Sequence, residues 1–112
     1  MTTGTILIDG TWREPREIIG DFTSHDPATG RANPASFPVI GWPDLEDMAR
    51  AAGRAAGELA AVEPERIARF LEQYATLIEA DADRIVATAS RETALPASPR
   101  LADVELPRTT GQ

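Results

Sequence analysis

Eighteen carboxylates, one histidine and no cysteine set the chemistry this chain of 112 residues can attempt. Paired carboxylates do general acid–base work when burial or a like charge pushes their pKa values apart. Asp44, Glu46 and Asp47 are the first such group, yet the surrounding pattern places them on a solvated helix face. Asp81 and Asp83 sit at a helix boundary, where capping is the simpler role. His25, between Ser24 and Asp26, has the chemistry of a general base, but no Ser/His/Asp spacing accompanies it and a strand or turn role fits better. The absence of cysteine excludes disulfides, thiolate nucleophiles and cysteine-ligated metals within the chain, and one histidine excludes multi-histidine metal sites.

Phosphate-binding patterns are equally thin. Gly53 and Gly57 fall inside an alanine-rich helical stretch, not between a strand and a helix, so close helix packing is the expected reason for them. Gly111-Gln112 has no P-loop lysine beside it, since all eleven basic residues are arginine. Those arginines are scattered singly in a chain of net charge −7, which argues against nucleic-acid binding. Met48, the Trp and Phe residues and Tyr74 are too dispersed for a cofactor box or a base-stacking platform and are expected in the core. No residue is assigned a catalytic, cofactor-binding or metal-binding role on these grounds.

The elements that must position any site change character near Gly41. Residues 1–40 read as β-hairpins. Asp9-Gly10, between Ile6-Leu7-Ile8 and Thr11-Trp12-Arg13, supplies the positive φ angles of a two-residue turn. A second extended stretch over 21–25 turns at Asp26-Pro27-Ala28-Thr29-Gly30 and returns over 35–39, where Pro34 and Pro38 confine it to a sheet edge.

Residues 41–112 read as helical. Pro43 marks a helix starting at Gly41 or Trp42, with Leu45, Met48, Ala49, Ala52, Ala56 and Leu59 as its apolar stripe. Glu46/Arg50 and Arg54/Glu58 are i,i+4 pairs on its polar side. Glu63-Pro64 restarts the pattern, and Ile67, Phe70, Leu71, Tyr74, Leu77 and Ile78 form the strongest apolar stripe in the chain. Asp81-Ala82-Asp83 bends it before Ile85, Val86 and Ala89 carry a further helix to Thr93. Residues 100–106 look like another helix start that Pro107 disturbs.

Five phrases, in order, resemble the opening of an aldehyde dehydrogenase: Leu7-Ile8-Asp9-Gly10-Thr11-Trp12, His25-Asp26-Pro27-Ala28-Thr29-Gly30, Pro64-Glu65-Arg66 with Phe70-Leu71, Arg91-Glu92-Thr93-Ala94-Leu95-Pro96, and Arg108-Thr109-Thr110-Gly111-Gln112. The last two look most like the α-ketoglutaric semialdehyde (2,5-dioxovalerate) dehydrogenases. Ala94, often Gly in the family, and the stretch 103–107 depart from its pattern.

The resemblance implies NAD(P)-dependent oxidation of an aldehyde to an acid. A cysteine thiolate attacks the aldehyde, hydride passes to the nicotinamide, and a glutamate-activated water releases the product. The family's reactive residues and its cofactor-holding glycines and lysine map to no position here. In some members a structural monovalent cation is held by backbone carbonyls and an acid that would map to Ser24, His25 and Glu92; helix-end capping is the competing role for Glu92.

The expected fold class is an α+β fragment of an α/β enzyme: β-hairpins followed by three to four helices, an incomplete cofactor-binding domain over 1–112. The implied function is the N-terminal scaffold of an aldehyde dehydrogenase, inert alone, with NAD or NADP bound only by the full-length enzyme. Its expected partner is the remainder of that polypeptide, in a homo-oligomer of the full-length enzyme. The start of the chain has no basic leader and only a three-residue aliphatic run, so neither signal peptide nor membrane anchor is expected and the expected location is cytoplasmic. The alternative is a stand-alone acidic helical module that binds a partner protein. The thin strands and alanine stripe further imply a chain that, alone, exposes apolar surface.

Overall fold

The computed structural model describes residues 4–112. Four strands precede four α-helices: β1 (Ile6–Ile8), β2 (Thr11–Arg13), β3 (Ile18–His25), β4 (Ala32–Ile40), α1 (Trp42–Leu59), α2 (Pro64–Ala80), α3 (Ala82–Thr93) and α4 (Leu106–Thr110). The strands form two separate antiparallel pairs, β1 with β2 and β3 with β4, so the class is α+β. The chain divides into two compact units, Met1–Ser24 with Pro34–Val62, and His25–Asn33 with Glu63–Gln112.

In the first unit, Asp9 and Gly10 take φ of 52° and 74°, the left-handed pair that a tight hairpin turn needs. That turn fixes the register, Ile6 opposite Arg13, Leu7 opposite Trp12 and Ile8 opposite Thr11. Between β3 and β4, the Phe22 and Phe37 rings stack with centroids 5.3 Å apart, and Ser36 Oγ donates to Asp21 Oδ2 at 3.0 Å. α1 begins after Gly41 with Pro43 in its first turn, where a missing N–H costs nothing.

The buried side of α1 differs from the expected stripe. Asp44 and Ala51 are buried and Met48 is half-buried, while Leu45, Ala49, Ala52, Ala56 and Leu59 are exposed. Ile8 on β1 is the strand residue buried with this face. The periodicity was right about the helix, but the face turned inward is rotated by about a quarter turn, because the hairpin meets α1 along Asp44, Met48 and Ala51. The expected Arg54/Glu58 pair gives way to a contact with the β1–β2 turn, Arg54 to Asp9 at 3.0 Å, whereas Glu46/Arg50 forms at 3.1 Å.

In the second unit, the Asp26-Pro27-Ala28-Thr29-Gly30 turn is held by Asp26. Its Oδ1 accepts from the Ala28 N–H at 2.8 Å, its carbonyl accepts from the Gly30 N–H at 2.8 Å, and its own N–H donates to the Arg31 carbonyl at 2.9 Å. α2 starts at Pro64 after Glu63, and α3 follows after Asp81 alone. The Asp81 side chain makes no cap, contrary to expectation; its carboxylate bonds the Arg84 guanidinium, with Nε at 2.9 and 3.0 Å from the two oxygens.

A wide-turn helical segment, Ala97–Glu105, follows α3, with Ser98 in extended conformation inside it. The Leu101 N–H reaches back five residues to the Pro96 carbonyl at 3.3 Å, and Leu101 is the buried apolar anchor of the unit. Pro107 does not disturb a helix here. It occupies the first turn of α4, where proline is tolerated.

The aromatic residues are not the core they were expected to be. Trp12, Phe22, Trp42, Phe70 and Tyr74 are all exposed and Phe37 is half-buried, because two-stranded sheets provide little surface to cover them. Gly53 and Gly57 likewise face open space, with no atom close to where a Cβ would stand, so no packing in this structure requires them.

The end of α3 shows local strain. Ala94 ends α3 at φ 58°, its N–H bonded to the Ser90 carbonyl at 2.9 Å, a left-handed position that glycine holds without a Cβ clash. Ala94→Gly is expected to stabilise the chain by about 0.5–1 kcal/mol, read as a rise of roughly 3–6 °C in the thermal midpoint. A lowered midpoint would contradict the strain.

Candidate functional site

Asp44 is the one fully buried charged side chain among the described residues, and its carboxylate accepts three hydrogen bonds. Arg13, at the end of β2, donates from Nη1 to Asp44 Oδ1 at 2.8 Å and from Nη2 to Asp47 Oδ2 at 3.1 Å. The other oxygen, Oδ2, accepts two backbone N–H groups from the β2–β3 connection, Arg16 at 2.9 Å and Glu17 at 3.2 Å. The Arg16 guanidinium closes the cluster on Asp47 at 3.1 Å. Just before α1, the Gly41 N–H donates to the Glu17 carbonyl at 2.9 Å, and the Glu17 side chain lies in the space that a Cβ on Gly41 would fill.

This reverses the expectation that Asp44 stands on a solvated face. The signal lay in matched spacing. Arg13 ends β2 and Arg16 follows three residues later past Pro15, while Asp44 and Asp47 are three apart in the first turns of a helix, so two arginines can face two aspartates. Burial by itself would raise the Asp44 pKa. The Arg16 N–H, the Arg13 side chain and the Glu17 N–H outweigh it, with the Arg13 charge adding to them, and hold the carboxyl below its ordinary 3.8.

A fully buried carboxylate with both oxygens engaged and a lowered pKa is a poor base. The cluster is a clamp that joins the β2–β3 connection to the start of α1, and removing one partner of a buried ion pair strands the other charge.

The remaining candidates lie on other elements. Asp81 is also held low, chiefly by the hydrogen bond from Arg84 and also by its charge, against a smaller opposing effect of burial; the pair is surface-exposed and contributes little to stability. His25 is exposed at the end of β3. Ser24 is half-buried on β3 in the first unit, and Glu92 is exposed in the last turn of α3 in the second. Among the described residues no three His, Cys, Asp or Glu side chains converge as a metal-holding group. No described helix is long and apolar enough to cross a membrane.

The best-formed apolar groove belongs to the second unit. It encloses about 290 Å³ between Tyr74, Ile78, Val86, Leu101 and Leu106, with Glu105 at its edge. Glu105 is engaged by Arg100 at 2.6 Å. The groove offers contact area without the converging polar groups that a reacting substrate needs.

The sequence matches one known family. A model of the aldehyde dehydrogenase family covers residues 12–110, from within β2 through β3, β4, the clamp residues and all four helices. No curated protein and no solved structure matches the chain.

The clamp makes a pH-dependent prediction. A carboxyl whose native pKa is depressed adds stability that is complete above about pH 5 and is lost as pH falls through the native value. Asp44→Asn removes the charge and turns an amide donor toward existing donors, so its thermal midpoint at pH 7 should fall by about 5 °C or more. The wild-type and variant melting curves should approach each other as pH drops below 3.8. Melts followed by circular dichroism from acid to neutral pH check this; a constant gap between the two proteins would show that the charge of Asp44 is not what stabilises the native state.

Proposed function

The chain belongs to the aldehyde dehydrogenase family, and from that premise we propose that it is the N-terminal scaffold segment of an NAD(P)-dependent enzyme that oxidises a semialdehyde to a carboxylate. The substrate class rests on the Glu92-Thr93-Ala94-Leu95-Pro96 and Arg108-Thr109-Thr110-Gly111-Gln112 phrases, which resemble the α-ketoglutaric semialdehyde dehydrogenases. The observation that carries the scaffold reading is a family match over nearly the whole chain in a sequence that has neither cysteine nor lysine.

The residues present do not fit the nicotinamide cofactor. A dinucleotide sits against a helix N-terminus reached through small, uncharged backbone. The α1 N-terminus is instead occupied by acids, with Asp44 buried in its first turn and the Glu17 side chain against Gly41. Gly53 and Gly57 lie in the middle of α1, remote from any strand-to-helix turn. Cofactor binding and the chemical steps are assigned to other parts of the enzyme, and this segment supplies support.

The support surface is the outward face of α1. Leu45, Ala49, Ala52, Gly53, Ala56 and Leu59 are exposed there, and small residues let another backbone approach closely. Such a face buries area only against a broad, well-matched surface, which the remainder of the enzyme would provide. The thin strands and the exposed apolar residues support the same reading over that of a self-sufficient module.

Two measurements test it. The purified chain, mixed with semialdehyde and NAD or NADP, is expected to form no reduced nicotinamide; turnover above a blank would overturn the inert-scaffold reading. Reading the coding DNA beyond Gln112 should reveal a frame with a glycine-rich strand-to-helix turn and a cysteine, while an immediate stop codon would favour the acidic interaction module. Where the longer frame exists, Ala56→Arg is expected to leave the melt of the 112-residue chain within about 0.5 kcal/mol of wild type. In the longer protein the same change should sharply lower soluble yield, because there the face is covered.

A further inference from the structure

The tip of the first hairpin carries a reactive pair of residues that neither the clamp nor the family reading uses. Asp9-Gly10 is the single step in the chain where glycine follows an aspartate or an asparagine. An aspartate side chain can close on the backbone nitrogen of the next residue to form a five-membered succinimide. A side chain on that next residue crowds the attack, so glycine permits it best. The other steps are blocked or hindered. Asp26 and Asn33 precede proline, which has no N–H to give up, Asp44 is fully buried with both oxygens engaged, and the remaining aspartates precede residues that carry a Cβ.

The fold leaves this pair open to reaction. The Asp9 side chain is 65% exposed, and among the described residues no atom lies within 4 Å of where a Cβ on Gly10 would stand. Arg54, on α1, holds Asp9 Oδ2 from Nη2 at 3.0 Å. Ring closure has to release that oxygen and rotate the Asp9-Gly10 peptide out of the turn. Neither restraint is strong, because the ion pair is exposed to solvent and a two-stranded hairpin of three-residue strands is marginal. Ile8 is buried, but Leu7 and Trp12 are exposed and resist opening little.

We propose that Asp9-Gly10 is a modification site, where the turn converts through a succinimide to isoaspartate at a rate that the Arg54 pair restrains. The Gly10 nitrogen attacks Asp9 Cγ and a C–N bond forms. The Gly10 N–H proton, one carboxylate oxygen and a proton from solvent leave as water. A second water then adds to one of the two imide carbonyls. Opening at Cγ restores aspartate, whereas opening at the main-chain carbonyl leaves the backbone running through Cβ and Cγ, with a free carboxylate on Cα. That carboxylate is the group an isoaspartyl carboxyl methyltransferase esterifies, taking the methyl from a sulfonium donor. Nothing in this chemistry depends on the scaffold reading.

Isoaspartate lengthens the backbone of the turn by one carbon. A two-residue turn then no longer sets Ile6 opposite Arg13 and Ile8 opposite Thr11, and the carboxylate leaves the position that Arg54 engages. Arg13 ends β2 and donates to Asp44, so lost register reaches the clamp.

The full 112-residue chain, held at neutral pH and physiological temperature for several weeks and then cut by trypsin, should yield a peptide ending at Arg13 with a new, isomeric form. That form has unchanged mass, resists an endoprotease that cuts before aspartate, and accepts methyl groups from the methyltransferase. A minor form lighter by one water marks the imide. Arg54→Ala, at an exposed helix position where alanine is favourable, should accumulate the product roughly two- to fivefold faster, the factor an exposed ion pair is worth. Asp9→Asn keeps a residue suited to the turn and reaches the same imide by releasing ammonia, so its product should appear at the same position and sooner. Asp9→Glu, whose ring would be larger and slower to close, should lose methyl acceptance there.

A peptide that is still fully cleaved before Asp9 after incubation would overturn the proposal. Methyl acceptance confined to other positions, or retained at this one in Asp9→Glu, would do the same. Equal rates in wild type and Arg54→Ala would remove the restraint assigned to Arg54.

Discussion

The structure of the first unit depends on a buried carboxylate that cannot be left unsatisfied. A charge taken out of water needs opposite charge and hydrogen bonds in good geometry, or it destabilises the fold. Asp44 obtains both from one short stretch, the Arg13 guanidinium on one oxygen and the Arg16 and Glu17 N–H groups on the other. Meeting that demand fixes where the β2–β3 connection lies against the start of α1. The β1–β2 hairpin precedes that connection directly, so Ile8 is brought to the helix face that carries Met48 and Ala51. Few apolar side chains are buried in this unit, and a directional polar contact sets a geometry that so small a hydrophobic core would specify only loosely.

The local features were legible in the sequence because their causes are local. Asp9-Gly10 turns the first hairpin since its residues tolerate positive φ, and Gly41-Trp42-Pro43 and Glu63-Pro64 start helices since proline fits a first turn. Which face of each helix is covered was not legible in the same way. Period finds a stripe, but the choice of inward face belongs to tertiary contacts. On α1 it went to Asp44, Met48 and Ala51, leaving Leu45, Ala52 and Ala56 outside. Asp44 itself read as a solvated acid near a helix N-terminus, because its partners come from a loop about thirty residues earlier and a charge pattern does not announce burial. Pro107 failed for the opposite reason. It was read as a breaker, while the wide turn over Ala97–Glu105 placed it at a helix start.

The candidate site followed the same division. Residue types alone argued that no catalytic set was present, and the family phrases pointed to aldehyde dehydrogenase, which the match over residues 12–110 supports. What the phrases could not supply was the role of the charged residues. In the structure those charges hold elements together: Arg13 and Arg16 on Asp44 and Asp47, Arg54 on Asp9, and Arg100 on Glu105. Arginine suits this work because its planar fork can engage two acceptors at once, as Arg13 does across two aspartates, which a lysine's point charge would do less well.

That use of charge also decides what Asp44 cannot do. A general base needs a pKa near the working pH and access to a substrate, and Asp44 is fully buried, accepts three hydrogen bonds and is held at a lowered pKa. The clamp in turn frees the apolar residues of α1 from the task of locating the hairpin. Leu45, Ala52 and Ala56 can then face outward without loss of the unit's internal order. The second unit reaches the same end differently: Leu101 is anchored through a wide turn, and Phe70, Tyr74 and Leu77 are left on the outside of α2. In both units the interior is held by a few specific contacts and much apolar surface is left outward.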